Sequence, residues 1–85
     1  MSVIKGDLLT IEGIKYITLE TLSYEGNDYA FVNKVTVNEE ITDEYYIFKV
    51  NGNNIVIVVD DNLRNILIPK FEELLRKDIQ DIINE

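Results

Sequence analysis

Residues Ile14 to Val37 read IKYITLETLSYEGNDYAFVNKVTV, and the fold turns on how this stretch is read. Two runs rich in β-branched and aromatic residues, Ile14–Tyr24 and Tyr29–Val37, flank Glu25-Gly26-Asn27-Asp28. Runs of this kind on either side of a short turn predict a β-hairpin. Gly26-Asn27 fits a two-residue loop of type II′, which takes Gly at its first central position. That loop sets Tyr24 opposite Tyr29, Leu22 opposite Phe31, Glu20 opposite Asn33, Thr18 opposite Val35 and Tyr16 opposite Val37. One face then carries Tyr16, Leu22, Tyr24, Tyr29, Phe31, Val35 and Val37, with Ile17 and Leu19 on the other. Either that second face is also covered, or a bulge near Glu20-Thr21 shifts the alternation.

Outward from the hairpin, Asp7–Ile11 reads as a short strand. Glu12-Gly13 turns it into Ile14, with Ile11 facing Ile14 and Leu9 facing Tyr16. On the other side, Asn38–Glu44 is acidic with the single apolar residue Ile41, and predicts a loop. A second hairpin follows, with Tyr45–Val50 and Ile55–Val59 flanking Asn51-Gly52-Asn53-Asn54. Asn51-Gly52 suits a type I′ turn, and Gly52-Asn53 is a competing loop shifted by two in pairing. Either choice puts Tyr46, Phe48, Val50, Ile55, Ile57 and Val59 on one face and Ile47, Val56 and Val58 on the other. Ile55–Val59 is apolar on both faces, which predicts an interior or covered strand.

The C-terminal third is helical by period. Leu63, Ile66, Leu67, Phe71, Leu74, Leu75, Ile79, Ile82 and Ile83 recur at spacings of three and four. Asp61 suits the N-cap. Pro69 removes a backbone donor and clashes with the preceding turn. The alternatives for Leu63–Ile68 are a short helix broken before Pro69 or a final strand, and the favoured reading is a helix from about Pro69 to about Asn84 with Leu63–Ile68 also helical. The fold class is α+β, an antiparallel β-meander of four or five strands with a C-terminal helix packed on one face.

At 85 residues, 46% of them hydrophobic, the chain is read as a single small domain spanning residues 1–85. Sixteen acidic residues against eight basic ones give a net charge of -8. Such a surface repels phosphate backbones and anionic headgroups, so neither nucleic acid nor a membrane is an expected partner. No apolar run approaches membrane-spanning length, and the N-terminus lacks the apolar segment of a secretory signal. With no cysteine to form disulfides, a cytoplasmic location is expected.

The absence of His and Cys removes zinc sites built from those residues, the Cys–His nucleophile and the Ser–His–Asp triad. The four glycines are isolated, so no phosphate loop is present. Asp60-Asp61, at a strand-to-helix junction, reads as capping and favourable charge at a helix N-terminus. Glu39-Glu40 with Asp43-Glu44 lacks the spacing of a calcium loop. No catalytic residue, cofactor or metal is expected. The apolar stripe of the helix is wide, and one helix covers only part of a five-stranded sheet. That would leave Ile17, Leu19, Val32, Ile47, Val56 and Val58 as surface to be buried in an assembly. Tyr24, Tyr29, Phe31, Phe71, Leu75, Ile79 and Ile82 are the candidate interaction residues.

The run Leu22-Ser23-Tyr24-Glu25-Gly26-Asn27-Asp28-Tyr29-Ala30-Phe31 resembles the hairpin of a family of small, acidic bacterial proteins forming a domain of unknown function. The acidic connector Glu39–Glu44 and the strand Tyr45–Val50 continue the resemblance, while Ile66-Leu67-Ile68-Pro69 departs from the family's more acidic tail. The family supplies no activity and no site residues. The expected function is a non-enzymatic interaction or accessory module that self-associates or docks on a protein partner. The alternatives are a phage or mobile-element inhibitor presenting an acidic surface, and a small carboxylate-based metal or ligand binder at Asp60 and Asp61.

Overall fold

The computed structural model describes residues 3–83, with side chains through residue 80. Five strands precede one helix: β1 (Leu8–Ile11), β2 (Ile14–Tyr24), β3 (Asn27–Val35), β4 (Ile41–Asn51), β5 (Asn54–Ile57) and α1 (Asp61–Ile83). The strands pair in chain order, each antiparallel to the next. This is the expected α+β meander with a C-terminal helix.

Turn chemistry sets the registers. Ile11 faces Ile14 and Leu9 faces Tyr16, as the sequence predicts. The central hairpin differs. Its loop is Glu25-Gly26, with φ of 49° and 79°, and both central residues in the positive region make it type I′ rather than II′. Tyr24 therefore pairs with Asn27, and Leu22 with Tyr29. This register places Ser23 opposite Asp28, and the Ser23 hydroxyl donates to Asp28 Oδ1 at 2.6 Å. Such a bond helps offset the strain of a non-glycine residue at Glu25. In the second hairpin the loop is Gly52-Asn53, and Asn51 pairs with Asn54.

Two irregularities shape the sheet. The first lies between Thr18 and Glu20, where Leu19 has no partner on β3. One extra residue inverts the alternation of side chains. Tyr16 thus points to the concave face, while Leu22 and Tyr24 point to the helix, and the single seven-residue face expected from the sequence is split in two. The second lies between Asn33 and Val35 on the β4 side. Here the buried Asn33 amide donates from Nδ2 to the carbonyls of Thr42 and Glu44, each at 2.9 Å, and Thr42 Oγ1 donates to Lys34 O at 2.6 Å. These bonds draw the acidic stretch into the sheet. β4 begins at Ile41 instead of after a loop ending at Glu44, and β3 stops at Val35, leaving Val37 84% exposed.

The sheet carries a core on each face. On the concave face Tyr16, Ala30, Val32, Phe48 and Val50 are buried, closed over by Val3, Leu9, Ile11, Tyr46 and Ile55. Residues of both edge strands reach this one cluster, so the sheet curls on itself. The Tyr16 ring stands edge-on to Phe48 at 5.0 Å and to Tyr46 at 5.8 Å, an arrangement aromatic rings favour. On the convex face Tyr29, Ile47 and Val58 are buried against Leu67 and Phe71 of α1. Phe31 stacks between Phe71 and Tyr45, at 5.5 and 5.6 Å. The six residues expected to share one uncovered face do not. Val32 is in the concave core, Ile47 and Val58 lie under the helix, Ile17 and Leu19 are half-buried, and Val56 is exposed.

The helix is continuous from Asp61 through Pro69 to Ile83. Its cap is Asp60, one residue earlier than expected: Asp60 Oδ1 accepts from the N–H groups of Asn62 at 2.9 Å and Leu63 at 3.3 Å. Pro69 cannot donate to the Asn65 carbonyl, but both residues are exposed, so water can serve that carbonyl. Leu67 and Phe71, on either side of Pro69, are almost wholly buried, and that burial outweighs the disruption.

Two predictions follow from this packing. Pro69→Ala should stabilise the domain by up to about 3 kcal/mol in urea unfolding, and a loss of stability would mean that the ring itself is needed. Asn33→Ala should destabilise by about 1–2 kcal/mol, because two part-buried carbonyls lose their donor. Amide exchange at residues 41–44 should then rise ahead of the rest of the sheet, and uniform protection there would contradict the role given to Asn33.

Candidate functional site

The second hairpin delivers β5 to the end of the meander, where no further strand among the described residues covers it. Asn51 and Asn54 flank a two-residue loop, and Val58 N–H donates to Ile47 O at 2.8 Å. In an antiparallel pair, alternate residues point their backbone groups toward the neighbouring strand. Asn54, Val56 and Val58 therefore bond to β4, and Ile55 and Ile57 direct their N–H and C=O groups outward. Along this edge Val56, Ile57 and Val59 are 59%, 43% and 78% exposed. The interior strand expected from the sequence is thus an open edge in the single chain. A shallow depression beside it is lined by Tyr45, Ile57, Val59 and Arg64, among others.

The candidate interaction residues separate into different settings. Tyr29 and Phe71 are buried, and they hold α1 on the sheet. Phe31, Tyr24 and Leu75 are half-buried, with Lys70 Nζ 5.5 Å from the centre of the Tyr24 ring. Ile79 is exposed at 58%. The side chain of Ile82 lies outside the described residues. The structure brings Tyr24, Tyr29, Phe31 and Phe71 together, but as the seam between helix and sheet. The β5 edge was not among those candidates, although the sequence carries a signal for it. Val50–Val59 is ten residues without a charge, twice the next-longest such run.

Carboxylates do other work. Asp60 caps α1, and Asp61 is exposed in its first turn. Among the described residues no group of three or more Asp or Glu side chains is placed to hold a metal ion. A charged cluster does join the end of the helix to the sheet: Lys5 Nζ lies 2.7 Å from Asp78 Oδ2 and 3.6 Å from Glu20 Oε2. The bond from Lys5 holds the Asp78 carboxyl below its ordinary range. Desolvation pushes Glu20 up, and the neighbouring Asp78 adds to that. One ammonium thus serves two carboxylates. No helix among the described residues is long and apolar enough to cross a membrane.

Compared with protein-family models, with curated proteins and with solved structures, the chain finds no match.

The cluster sets a pH dependence with two opposed parts. Glu20 binds its proton more tightly in the folded state, so its contribution falls as pH rises through its raised value. Asp78 contributes above the ordinary carboxylate range, and that contribution is lost as pH falls through its lowered value. Glu20→Gln should therefore raise Tm at neutral pH and flatten the decline between mildly acid and neutral conditions. Thermal melts across that range check this, and a lowered neutral Tm would contradict it.

Proposed function

We propose that this chain is a non-enzymatic protein-interaction module that works through the β5 edge and the apolar side chains beside it. The observation that carries this reading is the grouping of Tyr45, Ile57 and Val59, all exposed, around one depression beside the open edge of β5. Contiguous apolar surface of this kind is costly to leave in water and marks sites of association. Open edges also bind extended segments by adding a strand, where backbone bonds give affinity and side-chain contacts give selectivity. The acidic remainder of the surface, at a net charge of -8, favours solubility and steers association toward uncharged or basic surfaces.

Affinity capture of the tagged protein from native extract tests the reading, with wild type compared to Val59→Asp. Val59 is 78% exposed, so the substitution should leave the fold intact. Wild type should retain one species in stoichiometric amount, either a second protein or untagged copies of itself, and Val59→Asp should release it. Equal recovery by both forms, or none above background, would overturn the assignment to this surface.

A further inference from the structure

We propose that β5 pairs antiparallel with β5 of a second copy of this chain, joining two five-stranded sheets into one across a two-fold axis. The inference rests on the interaction-module reading and names its partner. Three observations support it. First, Ile55–Val59 has the pattern of an interior strand, apolar on both faces, yet β5 is an edge. A second β5 alongside would make it interior.

Second, the free backbone groups match their own copy. Ile55 and Ile57 point outward. An antiparallel arrangement about a two-fold axis at Val56 sets Ile55 of one copy against Ile57 of the other, twice over, and Val56 against its counterpart. Each isoleucine pair can exchange both backbone bonds, and the valine pair occupies the closer, non-bonded position. Opposed β-branched residues are a favourable cross-strand combination.

Third, charge favours this contact over others between copies. Each copy carries -8, so most faces would meet with like charges opposed. Val50–Val59 has no charged residue, and the proposed pairing therefore opposes none. Edge strands exposed to solvent are usually blunted by Lys, Pro or a bulge, and β5 has none of these. At the other end of the sheet, β1 is bracketed by Asp7 and Glu12.

The chain has no cysteine, so single substitutions report on proximity without background. Val56→Cys places a thiol on the proposed axis, and Val37→Cys, more exposed than Val56 but remote from β5, serves as a stringent control. Under mild oxidation Val56→Cys should convert to a disulfide-linked dimer at least tenfold faster than Val37→Cys. Analytical ultracentrifugation of unmodified wild type should show a dimer, and amide exchange at Ile55 and Ile57 should slow as concentration rises. Equal rates of cross-linking, or a wild type that sediments as a monomer throughout, would overturn self-pairing. A wild-type monomer that still captures a different protein through Val59 would leave the broader reading standing and exclude only this partner. A wild-type dimer whose Ile55 and Ile57 amides stay unprotected would place the interface elsewhere and overturn the proposal equally.

Discussion

The unpaired Leu19 in β2 is the constraint on which both cores depend. Without that extra residue, strict alternation would carry Tyr16 and Leu22 to the same face. With it, the first half of β2 lines the concave core and the second half lines the helix seam. A bulge also increases local twist, which agrees with the curl that brings Leu9, Ile11 and Ile55 over Tyr16 and Phe48. An 85-residue chain can bury an apolar layer on each face of a single sheet in this way, with α1 covering one of them.

The second irregularity, at Asn33, does for the polar groups what the first does for the apolar ones. A buried amide donates to two carbonyls that the interrupted ladder would leave without donors. The arrangement is incomplete, since Asn33 Oδ1 and the buried Thr18 Oγ1 have no partner among the described residues. Such groups cost stability when dry.

The position of the helix decides which apolar surface stays exposed. α1 spends its apolar stripe on Tyr29, Ile47 and Val58, and its later turns are tied toward β2 through Asp78, Lys5 and Glu20. The aromatic residues that looked most available for binding are consumed in this seam. What remains open is the strand the helix does not cover. The proposed interaction surface is thus what the intramolecular packing leaves over.

Much of this was legible in the sequence. A meander of four or five strands, the first hairpin's register, the helical period and the lack of His and Cys follow from local pattern and composition, which need no knowledge of distant contacts. The central hairpin's register was not legible, because Glu25-Gly26 and Gly26-Asn27 are both acceptable loops and the choice between them rests on pairs such as Ser23 with Asp28. Nor was the role of the acidic stretch Ile41–Glu44, which joins the sheet through the side chains of Asn33 and Thr42. The apolar run Ile55–Val59 shows the division well. Its composition fixed that both of its faces favour burial. Only the tertiary structure decided that the chain ends its sheet there, since whether a strand has a second neighbour depends on the order of all the others.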